Sequence, residues 1–188
     1  MDMNKVNIVM VRQNLLDIPV WGLADGFSFR FYRPGDMDKW FDIERQADTA
    51  GTFDEQKFVS TFNNRLDLLE QRMIFICDGD GRAVATSTAW YENDEAGLVH
   101  WVAVVPQMQG QGLAKPLLSK TLSLLAELGH KSVMLRTQFF RIAAINLYLK
   151  CGFVPLASSQ QDIDCWREVV RKFQAIGLDS SVIDRSLA

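Results

Sequence analysis

The sequence predicts a mixed α/β fold of α+β character, with a central mixed and mostly antiparallel sheet flanked by helices. Three observations lead there. Met73-Ile-Phe-Ile-Cys77 and Arg82-Ala-Val-Ala-Thr-Ser-Thr-Ala-Trp-Tyr91, joined by Asp78-Gly-Asp-Gly81, have the pattern of a hairpin with a long second arm. Residues 98–105 form a β-branched run, which passes through a Gly-rich turn straight into Leu113, Leu117, Leu118, Leu122, Leu124, Leu125 and Leu128, the spacing of one apolar helix stripe. Residues 132–137 then read as a strand, which a helix-length crossover places parallel to its predecessor with a right-handed connection.

The remaining elements follow in chain order. Residues 1–25 hold Pro19 and Gly22 and no long periodic stretch, so they read as an extended lead-in with a short strand, ahead of one domain over 26–188. Phe27-Ser-Phe-Arg-Phe-Tyr32 alternates aromatic and polar positions as a strand does, and Pro34-Gly35 ends it. Asp36 is placed to cap a helix over 37–46, and Asp54 to cap a second one reaching Glu70, with Phe58, Phe62 and Leu66 at four-residue spacing. Gly129 stops the Leu-rich helix. A helix near 142–150 ends at Gly152, a last strand begins at Phe153, and 165–176 forms a further amphipathic helix. No internal repeat is visible.

The turn before the Leu-rich helix carries the chemistry. Its backbone N–H groups lie at the positive end of the helix dipole without intrahelical partners, which suits them to hold phosphate. Gly110 and Gly112 allow close approach of anionic oxygens, and Pro116 costs nothing in a first turn, where its missing donor would be unsatisfied anyway. An ordinary strand-to-helix turn has the same letters, so rival patterns matter. A Walker loop requires Lys then Ser or Thr after the second glycine, where Leu113 and Ala114 stand; a dinucleotide fingerprint requires a small residue where Lys115 stands. Both fail, and with them a nucleotide-binding oxidoreductase.

The segment Gln109-Gly-Gln-Gly112-Leu-Ala114 matches the pattern Gln/Arg-x-x-Gly-x-Gly/Ala and resembles motif A of the GNAT acetyltransferase superfamily. A second block, Ala144-Ile-Asn-Leu-Tyr148-Leu-Lys-Cys-Gly152-Phe153, resembles that superfamily's second motif, in the right order and at the right separation. The resemblance covers about residues 27–156. It implies a GNAT acyl-CoA N-acyltransferase fold in which the strand before the turn and the next parallel strand splay apart to admit the cofactor's pantetheine arm. It further implies acetyl-CoA as acetyl donor, backbone hydrogen bonds to that arm from Val102, Ala103 and Val104, and a pyrophosphate cradle made of Gln109, Gly110, Gln111, Gly112, Leu113, Ala114 and Lys115.

Acetyl transfer to an amine poses two further problems. An alkyl ammonium of pKa near 10.4 is neutral in roughly one molecule in two thousand at pH 7, so a base or a proton-conducting water chain helps; a leaving thiolate whose conjugate acid lies near ~8.5 benefits from an acid. Tyr148 occupies the tyrosine of the second motif, which in the superfamily points at the cofactor sulfur, and is the candidate acid; as a residue of an amphipathic helix it also reads as core. Many members carry a base glutamate on the strand before the turn. Here His100 is the only titratable side chain on that strand, as in arylalkylamine-acetylating members, and Glu92 is the backup. Strand alternation leaves open which face His100 takes. Arg141 replaces the asparagine that often begins the second motif, and a guanidinium serves a phosphate as well. Trp90, Tyr91 and Trp101 are candidate walls of an acceptor pocket, with 47–53 as its entrance.

At 188 residues, 48% hydrophobic and 23% charged, with net charge −3 and no basic tract, the chain gives no sign of nucleic-acid or polybasic membrane binding. Cys77, Cys151 and Cys165 form no metal or redox pattern and suit a reducing cytoplasm, and the apolar run from Val6 is too short for a signal or a membrane span. The reading is a cytoplasmic N-acetyltransferase working by direct attack in a ternary complex on a small-molecule or protein amine, without a metal. The alternative is a non-catalytic acyl-CoA-binding or regulatory module. Acidic residues 78, 80, 92, 94 and 95 either favour a cationic acceptor or are solvated turns, and a strand edge in the C-terminal half offers a surface for a homodimer.

Overall fold

A computed structural model of the chain describes residues 7–48 and 51–187. Seven strands, β1 (Asn7–Arg12), β2 (Ser28–Phe31), β3 (Met73–Cys77), β4 (Ala83–Tyr91), β5 (Ala96–Val104), β6 (Ser132–Gln138) and β7 (Val154–Leu156), follow the hydrogen-bonded order β2-β3-β4-β5-β6-β1-β7. The pairings β2–β3, β3–β4, β6–β1 and β1–β7 are antiparallel, while β5–β6 is parallel, so the predicted mixed sheet forms. The helices are α1 (Met37–Ala47), α2 (Glu55–Thr61), α3 (Leu69–Arg72), α4 (Ala114–Glu127), α5 (Ile142–Lys150), α6 (Gln160–Ala175) and α7 (Ser181–Leu187). The chain forms two compact units, one of residues 7–18, Glu92–Leu98 and 129–187, the other of 19–48, 51–91 and Val99–Leu128. Val6, Thr49 and Ala50, which the sequence reading assigned to the N-terminal run and to the pocket entrance, lie outside the described residues.

In the second unit, β3 and β4 are buried on both faces. Successive strand side chains point to opposite sides. Ser87 turns toward α4, where its hydroxyl lies 3.0 Å from Thr121 Oγ1, and the predicted leucines Leu117, Leu118, Leu122 and Leu125 are buried on that helix. Trp90 stands on the other face and meets Phe62.

Two helices differ from expectation, one at its end and one at its start. Asp54 caps α2 as predicted, its Oδ1 accepting from the Lys57 N–H at 2.7 Å, but the helix stops at Thr61 rather than Glu70. Asn63 and Asn64, at φ of 52° and 59°, adopt left-handed backbone, which asparagine tolerates and which breaks the helix before α3. Asp36 precedes α1 but makes no side-chain cap hydrogen bond. Its carboxylate is taken by stronger partners, Arg30 Nη1 at 2.6 Å and Lys39 Nζ at 2.7 Å, together with the Arg33 N–H at 2.8 Å.

Burial alone would raise the Asp36 pKa, but the hydrogen bonds from Arg30, Lys39 and the Arg33 N–H outweigh it and hold the group at about 2. A folded-state pKa below the unfolded value stabilises the fold above the unfolded pKa, and the benefit disappears as pH falls through the folded one. Asp36→Asn is therefore expected to cost on the order of 2 kcal/mol at pH 7, the difference shrinking between about pH 4 and pH 2. Urea unfolding of both proteins across that range checks it; a pH-independent difference would show that the charge is not what stabilises.

In the first unit, Asn7–Arg12 is a six-residue strand held on both sides. It pairs with β6 from Asn7↔Gln138 to Arg12↔Val133 and with β7 from Val9↔Leu156 to Val11↔Val154. The start of β5 pairs in parallel with β6 from Ala96↔Ser132 to Leu98↔Met134. Helix α5 occupies the predicted residues, and α6 and α7 pack on β1 and β7. Cys77, Cys151 and Cys165 are free thiols, all buried. Among the described residues no helix is long and apolar enough to cross a membrane.

Candidate active site

The turn after β5 has the features an anion cradle requires. Past the short helical turn Pro106–Met108, Gly110 and Gly112 take φ of +80° and +81°, left-handed backbone that glycine alone adopts without cost. Among the described residues the N–H groups of Gly110, Gln111, Gly112 and Leu113 donate to no backbone carbonyl, whereas the Lys115 N–H reaches Gly112 O at 3.3 Å and the Leu117 N–H reaches Leu113 O at 3.2 Å, opening α4. A Cβ at either glycine would meet no atom within 4 Å, so nothing in the chain itself requires their smallness beyond the backbone angle. Unclaimed donors, a dipole's positive end and open backbone together fit the phosphates of a nucleotide-bearing cofactor.

The other predicted cradle residues divide by role. Gln109 turns its amide back on the strand, Nε2 donating to Val104 O at 3.0 Å, and so fastens the turn to β5. The Gln111 amide lies 3.3 Å from Met108 Sδ. Gln111 and Lys115 are exposed, Leu113 and Ala103 are buried, and Val102, Val104 and Ala114 are half-buried.

Strand β5 answers the question of faces that alternation left open. Trp101 has φ of 50°, left-handed for a bulky side chain within a strand. Strict alternation would send His100 and Trp101 to opposite sides, yet both join one aromatic cluster. The His100 ring lies 6.0 Å from Phe62 and 5.7 Å from Trp101, and Trp101 lies 5.4 Å from Trp40 and 5.8 Å from Phe53. Trp40 on α1 is the hub, with Phe41, Phe58 and Phe62 also packed against it edge to face. Lys57 Nζ lies 5.8 Å from the Trp101 ring centre. Of the predicted walls, Trp90 meets Phe62 and stacks on Tyr91 at 5.0 Å, and Trp101 stands at the cluster beside His100. Phe53, at the end of the predicted entrance, is buried there, its carbonyl accepting from the Arg45 guanidinium at 2.5 and 3.1 Å. Trp40 and Lys57 were not singled out from the sequence; Trp40 carried a signal as an aromatic on the inward stripe of a predicted helix.

Tyr148 and Arg141 belong to the first unit. Tyr148 is buried at 7% exposure, 6.0 Å from the Phe153 ring. Burial pushes its phenol up to about 12, while the Arg141 charge pulls the other way. Arg141 Nε donates to Gln138 Oε1, and its backbone N–H donates to Gln138 O at 3.0 Å. Glu92 is engaged by Arg136 at 2.6 and 2.9 Å, a bidentate pair that raises the Arg136 pKa. The acidic turn residues likewise find local partners: Asp78 accepts from Arg82, and Glu95 from Lys131 at 3.4 Å.

A sequence profile of the acetyltransferase (GNAT) family matches residues 37–153, well over half the chain. Mycothiol acetyltransferase of Pseudarthrobacter chlorophenolicus is 27% identical over 158 residues, covering 73% of this chain and 45% of that protein. Mycothiol acetyltransferase of Streptomyces griseus is 28% identical over 149 residues, 46% of its length, so the chain spans under half of these relatives. In fold, the chain is similar to a GCN5-related N-acetyltransferase from Sphaerobacter thermophilus, at a TM-score of 0.64 and 21% identity over 80% of this chain and 48% of that one. It is also similar to the ribosomal-protein-S18-alanine N-acetyltransferase of Escherichia coli, at 0.59 and 23% over 70% and 79% respectively. Two motifs in order, the glycine turn that opens α4 and the profile match lead to one statement: the chain belongs to the GNAT acetyltransferase family.

Proposed function

We propose that this chain transfers the acetyl group of acetyl-CoA to a primary amine of a small molecule or a protein, by direct attack within a ternary complex. The observation that carries the reading is the turn at Gly110 and Gly112, with its unclaimed N–H groups at the start of α4. Acetyl-CoA, the donor used across the family, brings the acetyl group as a thioester with a polyanionic handle. The backbone from Gly110 to Ala114 binds that handle, and the exposed Lys115 adds a positive charge beside it. Val102, Ala103 and Val104 offer main-chain groups to the pantetheine arm, and Arg141 is a further phosphate contact.

His100 receives the amine proton. It is half-buried against Phe62 and Trp101, so the amine meets it beside an aromatic wall that excludes water. Glu92 is the weaker candidate, because both of its carboxylate oxygens are engaged by the Arg136 guanidinium. Tyr148 holds its proton at neutral pH and donates a hydrogen bond to the departing sulfur. Full transfer from a phenol near 12 to a thiolate whose conjugate acid lies near ~8.5 runs uphill, so Tyr148 acts by stabilising charge.

Calorimetric titration with acetyl-CoA, with NADH and ATP as controls, followed by free-thiol release across a panel of amines, tests the reading. Saturable binding of acetyl-CoA alone and amine-dependent thiol release are expected. Binding without release for any amine would favour the non-catalytic acyl-CoA-binding alternative, and no binding would remove both. With an active amine in hand, His100→Gln is expected to lower the rate by about 10–100-fold at pH 7 and to converge on wild type above about pH 9, where more of the amine is already neutral. A pH-independent deficit would exclude His100 as the base.

A further inference from the structure

Arg12 closes β1 as a charged side chain only 7% exposed, and it stands outside the residues the family profile matches. Among the described residues it has no carboxylate in ion-pair range. Its guanidinium is instead spread over three main-chain carbonyls: Nη1 donates to Cys151 O, Nη2 to Leu16 O, and Nε to Asn14 O at 2.8 Å. A buried cation normally demands a countercharge. Here the negative end of the α5 dipole supplies a partial one, since Cys151 is the residue that caps α5.

What Arg12 holds is the turn to which Tyr148 is tied. Tyr148 O accepts from the Cys151 N–H at 3.0 Å and from the Phe153 N–H at 3.1 Å, and the Phe153 ring packs edge-on against the Tyr148 ring. Gly152, between those two donors, takes φ of +78°, and a Cβ there would come within 2.8 Å of Arg12 Nη1. So the turn is built around the guanidinium: the residue that faces it has no side chain, and its neighbours fix both the backbone and the ring contact of Tyr148. Strand β1 is in turn anchored between β6 and β7, which gives the clamp a fixed base.

We infer that Arg12 is a positioning residue for acetyl transfer, which clamps the C-terminal turn of α5 so that the Tyr148 hydroxyl is held where the leaving sulfur requires it. The inference rests on the proposed role of Tyr148. Removing the clamp at the C-terminal turn of α5 leaves the phenol in place but loosens its aim, so the rate of transfer falls while the affinity for acetyl-CoA, carried mainly by the Gly110–Ala114 turn, stays close to wild type.

The test is a double-mutant cycle on kcat, with acetyl-CoA Kd measured calorimetrically for each protein. Arg12→Met is expected to lower kcat about tenfold with Kd within twofold of wild type, and Arg12→Lys, which keeps a donor and the charge, to recover part of the loss. In a Tyr148→Phe background, Arg12→Met is expected to cost no more than about twofold, because the group it aims is gone. Gly152→Ala, which crowds the guanidinium from the other side, is expected to show the same signature and serves if Arg12→Met does not fold. Losses that multiply across the cycle would overturn the positioning role and leave Arg12 as a structural residue. A wild-type kcat in Tyr148→Phe alone would overturn it by a different route, by removing the role of Tyr148 itself.

Discussion

Tyr148→Phe is expected to lower kcat by about 100-fold while leaving the acetyl-CoA Kd and the thermal midpoint close to wild type. The ring is buried and packed on Phe153, and phenylalanine keeps that volume and that contact, so the change deletes one hydroxyl and little else. A hydrogen bond to a charged partner contributes about 1.5–3 kcal/mol, which corresponds to roughly ten- to a hundredfold in rate when the charge exists only as the thiolate departs. The pH dependence separates this from general damage. With its pKa raised to about 12 by burial, Tyr148 stays protonated through neutral and mildly alkaline pH, so the wild-type rate should show no descending limb from this group below about pH 10. The same shift has a stability consequence of definite sign. A folded-state pKa above the unfolded value near 10 leaves stability intact below pH 10 and erodes it as pH rises toward 12, and Tyr148→Phe should lack that alkaline loss. Unchanged kcat in single-turnover measurements, where product release cannot mask chemistry, would remove Tyr148 from the mechanism.

The strands and the Leu-rich helix were legible because their signals are local: β3 and β4 are strand-length runs on either side of an Asp-Gly turn, and α4 repeats its leucines at helical spacing. Where the sequence misled, a competing local interaction decided. Asp36 had the letter of a helix cap, but Arg30, six residues earlier, and Lys39 hold its carboxylate. Asn63-Asn64 ended α2 by a backbone conformation that an apolar pattern does not register. In the candidate site, the glycines of the turn were readable because positive φ has one preferred residue. The orientation of His100 was not, since it depends on the left-handed backbone of Trp101, a position where no glycine advertises it. Arg12 was invisible for another reason: its partners are carbonyls, as far away in sequence as Cys151, and a carbonyl leaves no trace in the letters.

Gly112→Ala is expected to raise the acetyl-CoA Kd by about tenfold or more, and the matched substitution at Gly129 shows why this would report on the cradle rather than on backbone strain. Gly112 and Gly129 sit at opposite ends of α4 with nearly the same backbone, φ of +81° and +87°, and at both positions a Cβ would meet nothing within 4 Å. An L-residue in left-handed conformation costs roughly 1–2 kcal/mol, so the two variants should lose similar stability and melt a few degrees lower. Only at the N-terminal end does the added methyl stand where phosphate oxygens approach unclaimed N–H groups, and there it forces the anion outward from donors whose attraction is short-ranged. Titration of both variants with acetyl-CoA decides the matter. A Kd raised in Gly112→Ala and unchanged in Gly129→Ala assigns the loss to the anion contact. Equal affinities in the two would mean that the turn between β5 and α4 is only a connection, and that the polyanionic end of the cofactor is held by other residues.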